Sequence, residues 1–166
     1  TGIEERRFAS PEQATSDLCY EATQKLLASM KMDPQEIDFI MVCTCTPDYP
    51  VPSTACVLQS KLNLSGVPAV DINAACSGFM YGLTMATSMV QTGLYKNVLV
   101  IGAETLSRIM DMQDRNTCVL FGDGAAAAII GEVEEGSGIL ATHLGAEGED
   151  EGILQIPGGG SRYPST

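Results

Sequence analysis

The stretch Val70-Asp71-Ile72-Asn73-Ala74-Ala75-Cys76-Ser77-Gly78-Phe79-Met80-Tyr81-Gly82 decides how the rest of the chain is read. Its opening residues have the composition of a buried strand, and from Gly78 onward small and apolar side chains predict a helix, so Cys76 falls at the strand-to-helix turn. A thiol there meets free backbone N–H groups and the positive end of a helix dipole, and both favour the thiolate. Ala74, Ala75, Ser77 and Gly78 are small enough to let a substrate approach the sulfur. The alternative is a structural cysteine buried at a helix start. Cys19, Cys43, Cys45, Cys56 and Cys118 are expected to be of that kind, small hydrophobes in a reducing compartment.

Outward from this turn the chain alternates. The helix after Cys76 runs through Gly82, Ala86 and Met89 to a stop at Gly93, and Asn97-Val98-Leu99-Val100-Ile101-Gly102-Ala103 follows as a strand apolar on both faces. On the N-terminal side, Pro68 to Asn73 is the strand entering the turn, and Ser53 is placed to cap a helix from Thr54 to Leu62, closed by Asn63 and Gly66. Three prolines between Pro47 and Pro52 remove donors and restrict their neighbours, which excludes a regular element there. Phe39 to Cys45 is another strand buried on both faces, with Cys43 and Cys45 on one side, and Asp33-Pro34-Gln35-Glu36 is a capping box on the short turn before it. A first helix carries Leu18, Ala22 and Leu26 beside Cys19, Thr23 and Leu27 as far as about Met30. Ser10-Pro11-Glu12-Gln13 offers it one start and Thr15 or Ser16 another. Strand, helix, strand, helix, strand at these lengths means parallel βαβ units with right-handed crossovers, an α/β fold.

Past Glu104 the pattern changes. Thr105 to Asn116 is a polar excursion, and Thr117 to Phe121 leads into Gly122-Asp123-Gly124, which predicts a tight turn between two strands with glycine supplying positive φ. Gly122-Asp123-Gly124-Ala125 also brushes against a dinucleotide-binding fingerprint, but the following Ala-Ala-Ala-Ile-Ile is β-like and no ribose-binding acid follows, so no such cofactor is expected. Ala125 to Gly131 is the last strong apolar run. Residues 132–152 are acidic and glycine-rich with a short strand expected around Ile139 to Leu144, and 157–166 has loop composition. His143, the only histidine, falls in that short strand, where a structural role outweighs a catalytic one. The acids Glu147, Glu149, Asp150 and Glu151 lack a calcium-loop pattern and are expected on a solvated loop.

The 166 residues suffice for one domain with a substantial core. A net charge of −12 argues against nucleic acid and against anionic membrane surfaces as partners. No apolar run reaches the ~18 residues of a membrane span and no secretory pattern opens the chain, so a cytoplasmic protein is expected. The cysteines form no C-x₂-C pair and lie far in sequence from His143, so no metal site is expected.

Asp71 to Phe79 (Asp-Ile-Asn-Ala-Ala-Cys-Ser-Gly-Phe), Gly102-Ala103-Glu104, Asp114-Arg115-Asn116-Thr117, Phe121-Gly122-Asp123-Gly124-Ala125 and the opening Thr1-Gly2-Ile3 with its arginines together resemble the β-ketoacyl-[acyl-carrier-protein] synthase III family of the thiolase superfamily. The resemblance covers essentially the whole chain, with the motifs in the family's order. It implies a thiolase-like βαβαβαββ half, a mixed sheet with helices on both faces, within a five-layer αβαβα architecture. It also implies that Cys76 takes an acyl group from acyl-CoA and that the acyl-enzyme condenses with malonyl-[acyl-carrier protein] with loss of carbon dioxide, initiating fatty acid synthesis. The Cys76 N–H would contribute to the oxyanion hole.

By the same resemblance Arg115 contacts the nucleotide end of coenzyme A, the alternative being an ordinary surface ion pair. Leu106 and Phe121 wall the acyl pocket, and Val51 enters the neighbouring subunit's pocket, where its small size suggests room for branched or longer starters. A homodimer joined through the strand before Cys76 is implied, with coenzyme A thioester as substrate and no resident cofactor. The family's histidine and asparagine, which act on malonyl, belong to a C-terminal half that does not occur in these residues, and His143 matches neither. The family's first strand, placed in the middle of the sheet, is expected to precede Thr1. Residues 1–166 are therefore expected to form a single N-terminal domain of a larger polypeptide, incomplete at both ends. The alternatives are a non-catalytic scaffold or partner half, or another condensing enzyme of the superfamily: a thiolase, a hydroxymethylglutaryl-CoA synthase or a polyketide synthase.

Overall fold

The computed structural model describes residues 2–149 and 152–165. Its elements follow the order α1 (Thr15–Met30), β1 (Phe39–Cys43), α2 (Thr54–Lys61), β2 (Ala69–Ile72), α3 (Gly78–Gln91), β3 (Val98–Thr105) and β4 (Asp123–Ile130). The sheet order is β2-β1-β3-β4, parallel throughout except for β4, which runs antiparallel to β3.

Period-two alternation along the strands divides the core between the two faces. Ile40 and Val42 of β1 with Leu99, Ile101 and Ala103 of β3 pack under α1 and α2, against Cys19, Leu27, Ala55 and Leu58. Met41 and Cys43 with Val98 and Val100 face the other way, onto Ala86 and Val90 of α3. Helices therefore cover both faces, as the continuous apolar strands require.

Polar contacts fix where the helices begin. Ser53 Oγ accepts from Cys56 N at 3.3 Å, and the Asp71 carboxylate on β2 accepts from Thr54 N and Ala55 N at 2.7 Å each. The strand that leads to Cys76 thus also holds the N-terminus of α2, a charge-assisted cap. Asp33-Pro34-Gln35-Glu36 forms its capping box, with Asp33 N donating to Glu36 Oε1 and Gln35 N to Asp33 Oδ1. Of the two starts offered for α1, Thr15 is the one taken. Ser10-Pro11-Glu12-Gln13 closes as an isolated turn, in which Ser10 N donates to Gln13 Oε1. One turn later Ser16 N donates to Asp48 Oδ1, and Thr15 Oγ1 donates to Thr46 O.

Four expectations need correction. The sheet has no vacant middle position: β1 pairs directly with β3, and β3 with β4, so a further strand fits only beside β2 or β4. Gly122-Asp123-Gly124 is not a turn between two strands. Residues 117–120 are a run of turns, Asp123 and Gly124 already belong to β4, and neither glycine has positive φ. Gly122 is small because the backbone crosses it: a Cβ there would lie 3.1 Å from Arg7 O. Ile139 to Leu144 forms no strand, and among the described residues no neighbouring strand offers it a ladder. Finally, Cys56 is exposed, and Cys45 and Cys118 are only half-buried. Asp150 and Glu151 of the acidic run, and Thr1, lie outside the described residues.

Asp123 ties the excursion after β3 to the N-terminal segment. It accepts from Ser107 N at 2.8 Å, Ser107 Oγ at 2.6 Å and Ala9 N at 2.8 Å. Burial opposes its ionisation, but the bonds from Ser107 and Ala9 outweigh that and hold the carboxyl below its ordinary value of 3.8. A carboxyl lowered in the folded state adds stability above its unfolded pKa and loses it as pH falls through the folded one. Asp123→Asn is therefore expected to cost about 1–2 kcal/mol near neutral pH and to flatten the fall in Tm below about pH 4. Thermal melts of both proteins across that range check it.

Candidate active site

The chain leaves β2 at Ile72 and reaches α3 at Gly78 through a single short turn, Ala75–Ser77. Asn73 Oδ1 accepts from Ala75 N at 3.2 Å, and Ala75 itself is left-handed, at φ 46°. A non-glycine residue in that region costs on the order of 1–3 kcal/mol, least for a side chain as small as alanine. The sharp reversal holds Cys76 exposed, just before an α3 whose N-terminus has no side-chain cap. The positive end of the α3 dipole thus follows directly on Cys76, while Ser77 N donates to Ala74 O and Gly78 N to Ala75 O within the turn.

Cys76 stands at an open pocket of about 360 Å³. Ala75 and Phe79 form one wall, and Gly124, Ala125 and Ala126 of β4 contribute to the others. Cys43, Gly102, Ala103 and Glu104 complete it from the ends of β1 and β3. Two glycines give the pocket its shape. A Cβ on Gly102 would meet Phe79 Cδ2 at 3.3 Å, so Gly102 makes room for that ring. A Cβ on Gly82 would lie 2.6 Å from Cys43 Sγ and 3.0 Å from Val100 Cγ1, so Gly82 sets how closely α3 lies on the sheet.

Glu104 has no acidic neighbour in these walls and is well bonded. Oε1 accepts from Cys45 N at 2.9 Å, and Oε2 accepts from Thr46 Oγ1 at 2.5 Å, Cys45 Sγ at 3.3 Å and Thr44 Oγ1 at 3.4 Å. Burial pushes the Cys43 thiol up to about 11. Cys45 is also pushed up to about 11, by burial first, then by the Glu104 charge and hydrogen bond and the nearby Cys76.

Of the site residues expected from the sequence, only Cys76 lines this pocket. Leu106 and Phe121 are half-buried but outside its walls, because both lie beyond the strand ends in the excursion. Arg115 is exposed on that same excursion, and Val51 is 84% exposed in the proline-rich loop. His143 is exposed and outside the pocket. Cys43 and Cys45 do not share a strand face, since β1 ends at Cys43. Phe79, Gly102 and Glu104 stand in the sequence motifs of the family resemblance, but sequence reasoning assigned them no place in the site. An acid closing a run as apolar as Val-Leu-Val-Ile-Gly-Ala was the available signal for Glu104, since a half-buried carboxylate must be given donors. Among the described residues no cluster of three or more His, Cys, Asp or Glu side chains is placed to hold a metal, and no helix is long and apolar enough to cross a membrane.

Comparison with known proteins gives a consistent result. The family model described as 3-Oxoacyl-[acyl-carrier-protein (ACP)] synthase III matches residues 70–148. A β-ketoacyl-[acyl-carrier-protein] synthase III of Fusobacterium nucleatum is 61% identical over 99% of this chain and 50% of its own length. One from Caldanaerobacter subterraneus is 55% identical over 100% and 50%. The chain thus spans about half the length of the curated relatives it matches. Among solved structures, the 3-oxoacyl-(acyl carrier protein) synthase III of Pseudomonas aeruginosa superposes with a TM-score of 0.89 at 33% identity, covering 98% of this chain and 51% of that one. The Thermus thermophilus enzyme gives 0.78 at 44% identity, covering 82% and 42%.

Proposed function

Because this chain belongs to the 3-oxoacyl-[acyl-carrier-protein] synthase III family, we propose that it is the nucleophile-bearing part of a decarboxylating condensing enzyme, an acyltransferase with Cys76 as its acyl acceptor. The observation that carries this is the exposed Cys76 sulfur, held by a left-handed turn against the N-terminus of α3 at the mouth of an apolar-walled pocket. The Cys76 thiolate attacks the carbonyl carbon of an acyl-CoA thioester. The C=O electron pair moves onto oxygen, and the resulting oxyanion is met by the Cys76 N–H. Collapse of this intermediate expels coenzyme A as its thiolate, which takes up a proton, and leaves the acyl group on sulfur.

In the second half-reaction malonyl-[acyl-carrier protein] loses carbon dioxide, and the electron pair released attacks the acyl carbonyl. The products are 3-ketoacyl-[acyl-carrier protein] and the free Cys76 thiol, which commits the chain to the first step of fatty acid synthesis. A histidine and an asparagine from the part of the protein beyond residues 1–166 would steer the malonyl group. Residues 1–166 would form a single domain of a soluble, cytoplasmic homodimer. An edge-strand position for β2 and a 38% exposed Val70 support joining two copies through that strand, with Val51 reaching into the neighbouring subunit. Arg115 is assigned to the nucleotide end of coenzyme A, and Leu106 and Phe121 to the far end of the acyl pocket. Coenzyme A enters as a substrate thioester.

Incubating the full-length protein with acetyl-CoA and mapping its peptides by mass spectrometry tests this function. One acetyl group on the peptide containing Cys76 is expected. An unmodified Cys76 together with an intact fold would instead make this part a scaffold.

A further inference from the structure

Three cysteines converge on one end of the sheet. Cys43 and Cys76 both line the pocket. Cys45 lies on the loop after β1, bonded to the pocket residue Glu104 and near Cys76, and borders a second cavity of about 370 Å³ with Thr15, Asp48, Thr105 and Arg108. Any ionised thiol so placed competes for an acyl group, either directly or by S-to-S migration, in which one thiolate attacks the thioester on the other and releases it as thiolate. Cys43 is only 4% exposed and is screened by burial. Cys45 is half-buried, and burial alone screens it less.

We infer that Glu104 is a positioning residue that keeps acyl transfer on Cys76: its carboxylate gathers the 44–46 loop and holds the Cys45 sulfur as a hydrogen-bonded S–H. This rests on Cys76 being the acyl acceptor. Both Glu104 oxygens are engaged by consecutive residues of the loop, through Cys45 N, Thr46 Oγ1, Thr44 Oγ1 and Cys45 Sγ. Loss of the Cys45 proton would set a thiolate against a carboxylate at a separation of 3.3 Å. The surroundings of Cys45 give no relief. Glu104 faces it from β3, Cys76 from the turn before α3, and Asp48 from its own loop. Glu12 and Arg108 lie across the second cavity. Arg108 is committed to Ser10 O at 2.6 Å and Gln13 O at 3.3 Å. Glutamine at position 104 keeps one acceptor oxygen for the loop, presents its amide N–H groups to the Thr44 and Thr46 hydroxyls, which can turn to accept, and removes the charge.

The test is the rate at which iodoacetamide labels Cys45 in the full-length protein, by peptide mapping, with N-acetylcysteine as the free-thiol reference. In the wild type, Cys45 is expected to label at least about tenfold more slowly than the reference near pH 8, each pKa unit being a factor of ten, with its rate still rising near pH 10. In Glu104→Gln the Cys45 rate near pH 8 is expected to rise about fivefold or more, and acetyl-CoA should then acetylate Cys45 as well as Cys76. A Glu104→Gln/Cys45→Ala protein should return to a single acetyl group. The inference is overturned if wild-type Cys45 labels as fast as the reference, or if a folded Glu104→Gln protein leaves its rate unchanged. Should Glu104→Gln fail to fold, the wild-type pH profile decides. Acetylation that persists unchanged in Cys76→Ser would remove the Cys76 assignment instead, while the labelling rates would still report on Glu104.

Discussion

Replacing Cys76 with serine is expected to slow acylation by acyl-CoA by about a thousandfold or more, which corresponds to roughly 4 kcal/mol of transition-state stabilisation. The thiol is used because sulfur is the stronger nucleophile toward a thioester carbonyl, whereas a serine hydroxyl needs a general base positioned to take its proton as it attacks. Serine differs by one atom at an exposed position, so the backbone turn and the pocket should survive. The expected change in folding stability is within about 0.5 kcal/mol. A time course of intact mass with acetyl-CoA, alongside thermal melts of both proteins, checks the pair of expectations. Equal rates in the two proteins would show that another group carries the acyl chain.

The largest effect on stability is expected at Gly82. In an exposed helix, exchanging glycine for alanine gains up to about 1 kcal/mol. Here the added Cβ would lie 2.6 Å from Cys43 Sγ and 3.0 Å from Val100 Cγ1, inside van der Waals contact with a packed sheet. Either α3 lifts or the Cys43 side chain is driven from its place, so Gly82→Ala is expected to destabilise by about 1–2 kcal/mol and Gly82→Val by about 3 kcal/mol or more. Cys43→Ala in the Gly82→Ala background removes the clashing sulfur and should recover part of the loss. Chemical denaturation of the two single variants and the double variant measures that coupling. Since Cys43 and Phe79 line the pocket, a lifted α3 should also slow acylation of Cys76.

Much of the architecture was legible because its causes are local. Continuous apolar runs marked β1 and β3, prolines marked the loop from Pro47 to Pro52, and cap chemistry marked the turn at Asp33 and the start of α2 at Ser53. Where local signals misled, a distant partner was the reason. Ser10-Pro11-Glu12-Gln13 has the chemistry of a helix start, yet α1 begins where Asp48 and Thr46 reach its first turn. Gly122 looked like a glycine needed for positive φ, but it is the approach of Arg7 O that excludes a side chain. Ile139 to Leu144 has strand composition but, among the described residues, no ladder to join. An expected middle strand gave way to direct pairing of β1 with β3, and strand order is not written in any periodicity.

The sequence by itself determined that Cys76 sits on a strand-to-helix turn among small residues, because a turn of this kind is set by neighbours within a few positions of the sulfur. Only the tertiary structure decided what surrounds it. Glu104 meets Thr44, Cys45 and Thr46 across sequence separations of 58 to 60 residues. Those contacts exist because β1 and β3 lie side by side in the sheet, with Cys43 opposite Gly102. Which acid quiets which thiol is therefore a property of the strand order, and no window of sequence contains it.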